Sequence, residues 1–456
     1  MKLLRDSRKQ TNRFIGLSSI TADPRRTQTD KYCWNSTPFG FVWFRRIAFS
    51  TLLYASLICP LKTIGGSLPD ATTIVRAGVA EGKNPPQEKS VSPKGARGKS
   101  VGGLMVSGTQ LLKDGRPFRI KGVIFEGLVA PDAFLSVSQR PHKLAFSKRS
   151  LELASTWHVN TIRFNFSQPA LDPLSPMYNA SSYISQITSA VSLARRMGFV
   201  VIVTDQDEKN THDPSVSEER MPSAATLRAD LTLASLFKAD QGVMIDLFNE
   251  PNMKPSVANW NLWFHGGTFI NESNQTQTVV GFQTLVTEIR THGSRNVLLI
   301  DAINTYSFLG IQYMINDPVN NIVYDPHLLN PTNRHRGNQS DSQRDFGFLV
   351  DDGKAVVLGA FNASTSHPSG SNKPARWCND DPDLERPNAF LNYLQKRGIG
   401  VIGWAFDFPG SIVKDYNGTP TTYTGKRCGD PDGGSGQLLQ QYFNLSILNN
   451  GMRSGR

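Results

Sequence analysis

Cysteine is scarce in this 456-residue chain. The four present, Cys33, Cys59, Cys378 and Cys428, form no CxxC pair. Structural zinc sites use such pairs, and no His/Cys/Asp cluster has ligand spacing, so no metal is expected. No GxGxxG or GxxxxGKS/T loop follows the first strand-like segment, which argues against the common dinucleotide and P-loop folds and predicts no cofactor. Long apolar runs are also missing. Residues 47–61 are uncharged and mostly apolar, but a membrane-spanning helix needs about 20 such residues. Charge of one sign is lacking beyond the N-terminal tail. The net charge is +11, yet residues 1–100 alone carry 17 Lys+Arg against 6 Asp+Glu, leaving 32 of each sign in the rest. The folded part therefore has no bias toward phosphate, and no nucleic-acid partner is expected.

What remains is an ordinary globular composition, 39% hydrophobic and 19% charged, behind an unusual N-terminus. Residues 1–46 are basic. Arg45 and Arg46 directly precede the apolar segment 47–61, which predicts a signal-peptide core or a retained anchor, with the rest of the chain exported. Asn-x-Ser/Thr triplets begin at Asn165, Asn179, Asn271, Asn274, Asn338, Asn362, Asn417 and Asn444. They fit a glycosylated protein of the secretory pathway, extracellular or anchored facing outside. Residues 62–103 are rich in Gly, Pro, Ser and Lys and are expected to form a disordered linker behind a disordered tail.

From residue 104 the pattern alternates. A short hairpin at 104–112 comes first, with Asp114-Gly115 as a turn. Strands are expected near 118–125, 159–165, 199–204, 242–248, 296–301, 321–325, 354–360 and 400–406. Amphipathic helices fall between them, as at 183–197, 224–238, 278–291 and 387–396. Eight strands separated by helical segments predict right-handed β-α-β units, most economically closed into a (β/α)8 TIM barrel over residues 104–446. An open doubly wound sheet is the alternative. Cys378 and Cys428 lie in polar, loop-like sequence. In an oxidising compartment they are candidates for a disulfide across the last barrel unit; otherwise they are surface thiols. A monomer is expected.

A barrel places its chemistry where its strands end. Those ends carry Glu126, Arg163 with Asn165, Asp205 with Gln206, Asn249 with Glu250, Asp301, Asp325 with His327, Ala360, and Trp404 with Asp407. The buried run Val243–Phe248 breaks abruptly into Asn249-Glu250-Pro251. With "NTIRFNF" at 160–166, "NNIVYDPH" at 320–327, "AVVLGAF" at 355–361 and "GVIGWAFDF" at 400–408, this motif resembles glycoside hydrolase family 5, the cellulase-like β-glycanases. The resemblance implies a β-linked glucan or mannan chain as partner and a retaining mechanism with two carboxyl groups about 5–5.5 Å apart. It implies that Glu250 is the acid/base, Asn249 holds a sugar hydroxyl, Arg163 lies below the nucleophile, His327 stands near the acid/base and Trp404 is a sugar platform.

The sequence departs from that pattern at three positions, two of them at one corner. The residue after Gly359, where the resemblance implies a nucleophilic glutamate, is Ala360. The tyrosine that would bond the nucleophile is Leu329, and a histidine after an earlier strand is replaced by Gln206. Alanine cannot attack or carry charge, so a glycan-binding pseudoenzyme or an altered activity is expected. A carboxylate relocated to Asp407, Asp325 or Asp205 would instead leave a hydrolase. Trp260 and Trp263 have helical spacing and read as one buried face rather than platforms; Trp377 is a further aromatic candidate. Loops 207–222 and 253–275 are expected to set subsites.

Overall fold

A computed structural model describes residues 103–129, 146–178, 182–206, 219–271, 274–329, 338–362, 385–422 and 434–451. The basic tail, segment 47–61, nearly all of the linker, Asn179, Trp377, Cys378 and Cys428 lie outside the described residues. Among the described residues no helix is long and apolar enough to cross a membrane.

The N-terminal element is a three-stranded meander of β1 (Leu104–Ser107), β2 (Gln110–Lys113) and β3 (Arg116–Pro117). Asp114 and Gly115 both take positive φ and turn β2 into β3, the geometry that tight hairpin turns require. Eight strands then close a parallel barrel: β4 (Lys121–Phe125), β5 (Thr161–Ser167), β6 (Val200–Gln206), β7 (Val243–Asp246), β10 (Leu298–Asp301), β11 (Ile322–Asp325), β13 (Ala355–Phe361) and β14 (Gly400–Gly403). Each pairs in parallel with the next, β11 with β13, and β14 returns to β4. The short β12 (His327–Leu328) continues β11 along β13.

Alternation along the strands explains the two apolar layers. Val201 and Val203 belong to the large core between sheet and helices, whereas Val200 and Ile202 belong to the barrel interior. The meander closes one end. Leu104 and Leu111 join the interior cluster, Leu104 N–H bonds to Gln241 O ahead of β7, and Val106 N–H bonds to the Asn321 side chain ahead of β11. The bottom of the barrel is therefore stoppered, and the mouth lies at the opposite, C-terminal strand ends.

The helices follow from caps and spacing. Helix α4 (Ala224–Phe237) begins at Ser223, whose side chain accepts from Ala225 N–H while Thr226 reaches back to the Ser223 amide. Loss of such a cap costs about 1 kcal/mol. Its Ala229, Leu233, Ala234 and Phe237 bury one face. Helices α3 (Tyr183–Arg196) and α9 (Glu385–Arg397) lie within two residues of the expected spans.

Two expectations fail. Residues 278–280 are not helix: they belong to β9 (Thr276–Val280), paired antiparallel with β8 (Gly266–Ile270), and the helix, α6 (Phe282–Thr291), starts only after them. Alternation in Thr-Gln-Thr-Val-Val favours strand locally. The link from β10 to β11 has no helix at all. Its place against the sheet is filled by aromatic packing, with Trp260 and Trp263 of helix α5 (Val257–His265) set against Phe308. Both indoles are fully buried, and their N–H groups bond to Leu309 O and Asp301 O. Thus 253–275 is largely this helix and the first ribbon strand rather than an open subsite loop.

Candidate active site

Arg163 organises the mouth. Its neighbours Ile162 and Phe164 face the helices, so strand alternation turns Arg163 into the barrel, where it is fully buried. Every arm of the guanidinium is used. Nε donates to Thr204 Oγ1 at 2.9 Å, Nη1 to Asp325 Oδ2 at 3.2 Å and Gly359 O at 3.1 Å, and Nη2 to Asp246 Oδ2 at 2.5 Å and Asn249 Oδ1 at 2.9 Å. Such a fork suits arginine and not lysine. A Cβ at Gly359 would overlap the Asp325 carboxylate, so the glycine is needed for that carboxylate to sit where it does.

Glu250 stands above this layer, half-buried at the mouth, with a left-handed backbone (φ 58). That conformation is costly for a glutamate and persists only when surroundings fix it. Its amide donates to Asp301 Oδ2 at 2.8 Å, and its Oε1 lies 3.0 Å from His327 Nδ1. His327 Nε2 lies 2.9 Å from Arg163 Nη1 and 3.5 Å from carboxylate oxygens of both Asp301 and Asp325. With the ring charged, or with Nε2 accepting from the guanidinium, Nδ1 carries a hydrogen and donates it to Glu250 Oε1.

Charge balance reinforces this arrangement. Burial disfavours a charged imidazole, but the Asp301 and Asp325 carboxylates outweigh it and hold His327 well above its ordinary value. Burial, with Asp246 close by, pushes Asp301 well above the usual carboxylate range. Burial also raises Asp246, against the pull of Arg163. Burial among neighbouring acids thus favours the neutral form of Asp246 and Asp301. Asp301, Asp325 and His327 present ligand atoms within 4.8 Å of one another, as a metal site would. Arg163 already bonds Asp325 and faces the His327 ring, so a positive charge is built into that position.

The opposite side of the mouth is apolar. Ala360 pairs with His327 in register and is 3% exposed. It belongs with Ala405 to the barrel-interior cluster, on which Leu329, Trp404 and Phe408 pack. Trp404 and Phe408 stack with ring centroids 5.9 Å apart. The Trp404 indole donates from Nε1 to Glu126 Oε1 at 2.5 Å.

The three carboxylates considered as replacements are committed elsewhere. Asp407 accepts the amides of Glu126 at 3.0 Å and Gly127 at 2.7 Å and is buried, which raises its carboxyl to about 6. Asp325 is buried under Arg163 and His327. Asp205 does not look across the mouth. It continues the outward set of Val201 and Val203, and its charge acts on Asp230 and Tyr183 of the helix layer. Gln206 faces inward and accepts from Asn165 Nδ2 at 2.6 Å.

Sequence reasoning gave no role to Asp246, Asp301 or Glu126. Asp246 was within reach, because it shares the inward parity of Met244 on β7. The Asp301 contact was not, since it depends on the left-handed turn at Glu250.

Inward polar residues at the C-terminal ends of a closed parallel barrel define the class of (β/α)8 enzymes and their relatives. The family model for cellulase, glycosyl hydrolase family 5, matches residues 137–409. That is more than half of the chain, and the protein belongs to this family. A hyperthermophilic endocellulase from Pyrococcus horikoshii is similar in structure, with a TM-score of 0.54 at 15% identity over 76% of this chain and 99% of its own. A complex of a P. horikoshii endocellulase with cellotetraose gives 0.52 at 15%, over 75% and 98%. The catalytic domain of a mannanase from Streptomyces sp. SirexAA-E gives 0.46 at 15%, over 72% and 87%. At these identities the likeness of the two endocellulase structures speaks for the fold. Comparison with curated proteins gives no match.

Proposed function

We propose that the mouth holds a β-linked glucan or mannan chain and does not run the two-step retaining hydrolysis of the family. The observation that carries this reading is the asymmetry of the mouth. Glu250 is fixed through backbone and side chain by Asp301 and His327, while position 360 offers a methyl group within an apolar cluster. A retaining reaction needs a carboxylate there to form the glycosyl intermediate. Binding does not. Trp404 presents an aromatic face, Asn249 has its carbonyl held by Arg163 so that its amide N–H groups serve other partners, and Glu250 is half-exposed. Family membership and the cello-oligosaccharide complex of a structurally similar endocellulase support this ligand class.

Export by way of segment 47–61 belongs to the same proposal. Asn274, Asn338, Asn417 and Asn444 are exposed acceptor triplets, whereas Asn165 and Asn362 are buried at strand ends and inaccessible to modification in the folded chain.

Calorimetric titration with cellohexaose and mannohexaose tests the reading. The wild type should bind at least one of them, and Trp404→Ala should weaken binding about tenfold, near 1.4 kcal/mol, as loss of one stacked ring does. Silence with both sugars, or full affinity in Trp404→Ala, would refute it.

A further inference from the structure

Glu126 directly follows β4 and so stands at the mouth, where it is half-exposed. Its own amide and that of Gly127 are clamped by the two oxygens of the Asp407 carboxylate. Its side chain is turned toward Trp404, whose indole N–H it accepts at 2.5 Å. The first contact fixes its backbone and the second fixes its carboxyl group. Its place around the barrel matters most. In the order β4-β5-β6-β7, Glu126 stands three strands from Glu250; in the order β7-β10-β11-β13, Ala360 stands three strands from Glu250 on the other side. The mouth thus has a carboxylate as far round from Glu250 as the missing nucleophile, supplied from the opposite direction.

We propose that Glu126 is the second catalytic carboxylate of this mouth and acts with Glu250 in a single, inverting displacement on a β-linked glucan or mannan. Glu250 gives its proton to the glycosidic oxygen as that C–O bond breaks. Glu126 takes a proton from a water whose oxygen forms the new bond to the anomeric carbon. The products are an α-configured reducing sugar and the free leaving-group hydroxyl. The two carboxyls finish with their protonation exchanged and reset through solvent. Such a pair leaves room for the water when it stands about 6.5–9.5 Å apart. No carboxylate is required at position 360, so Ala360 and Leu329 cease to be defects. Asp407 becomes a positioning residue for Glu126.

The inference rests on the glycan-cleft reading, and one experiment separates the two. Wild type and Glu126→Gln are titrated with cellohexaose and mannohexaose, and the first-formed product anomer is followed by proton NMR. Glu126→Gln keeps size and an acceptor for the Trp404 indole, so its fold should survive; thermal melts of both proteins check this. The expected result is the α-anomer first from wild type, and a rate about 10²–10⁴-fold lower in Glu126→Gln with dissociation constants within about threefold. Glu126→Asp, which withdraws the carboxylate by one methylene, should fall between them. A β-anomer as first product, an unchanged rate in Glu126→Gln, or binding by wild type without turnover would each overturn the role of Glu126 while leaving the cleft reading intact. Failure of wild type to bind either sugar would overturn both.

Discussion

The two sides of the barrel mouth solve opposite problems. On the Glu250 side, Arg163 and His327 are packed among Asp246, Asp301, Asp325 and Glu250, and contacts between charged groups set the geometry. On the Ala360 side, methyl groups, a leucine and two stacked rings set it. Strand register joins the two at His327 and Ala360. A buried charge network is stiff but fails completely when one partner is removed, whereas an apolar corner tolerates small changes and rejects charge. The charged half keeps its ion pairs and hydrogen bonds beside an apolar position 360.

The sharpest way to break this comparison is to remove the cation at its centre. Arg163→Met keeps an unbranched apolar stem and leaves Asp246 and Asp325 without their guanidinium. Breaking a buried ion pair from one side costs about 3–5 kcal/mol. Urea denaturation at pH 7 should show a loss of that size. A loss below about 1 kcal/mol, within the range of exposed pairs, would mean the charged half is not what fixes the mouth.

The next effect belongs to the apolar side and is read through pH. The Asp407 carboxyl titrates at about 6 in the folded protein against 3.8 as the ordinary value. The folded state therefore holds a proton that the unfolded chain has released over that window. Stability from this group is complete below about pH 4, falls as pH rises to about 6, and is flat above. At about 1.4 kcal/mol per unit, the change is on the order of 3 kcal/mol. Asp246 and Asp301 are displaced in the same direction, so wild type alone does not isolate the term. The stability of wild type relative to Asp407→Asn should rise as pH falls from about 6 toward 4 and level off above pH 6. A pH-independent difference would remove Asp407 from the account.

How far the sequence reached follows from the same contrast. Barrel strands announce themselves as buried runs, and all eight expected segments contain a strand offset by no more than a few residues. The β8–β9 ribbon was hidden because Thr278–Val280 sit at the edge of a helical pattern whose apolar face, Phe282, Leu285, Val286 and Ile289, is genuine. The missing β10–β11 helix was hidden because tryptophans from another element fill its place. At the mouth, residues on inward strand positions were readable by alternation, and Arg163 is the clearest. Asp205 was misread because the same alternation, carried two residues past Val203, points it into the helix layer. Contacts such as Glu250 with Asp301, or Glu126 with Trp404, join segments 51 and 278 residues apart, and no local pattern encodes them.

The smallest expected effect tests the apolar corner itself. Ala360→Glu places a carboxyl beside Leu329, Trp404 and Phe408, where the wild-type residue is 3% exposed. An unsatisfied buried acceptor costs about 1–3 kcal/mol. Leu329→Tyr brings a phenolic O–H two residues beyond His327, at a position that packs on the same interior cluster as Ala360. If polar loss at this corner is one linked change, the double variant should be more stable than the sum of the singles by about 1 kcal/mol, the coupling typical of residues in contact. The pair should also gain hydrolysis of β-linked glucan or mannan with the β-anomer as first product, the outcome a restored carboxylate at 360 dictates. Additive stabilities and an unchanged product anomer would show that positions 329 and 360 do not act together. The two halves of the mouth would then differ in residue type without dividing the work.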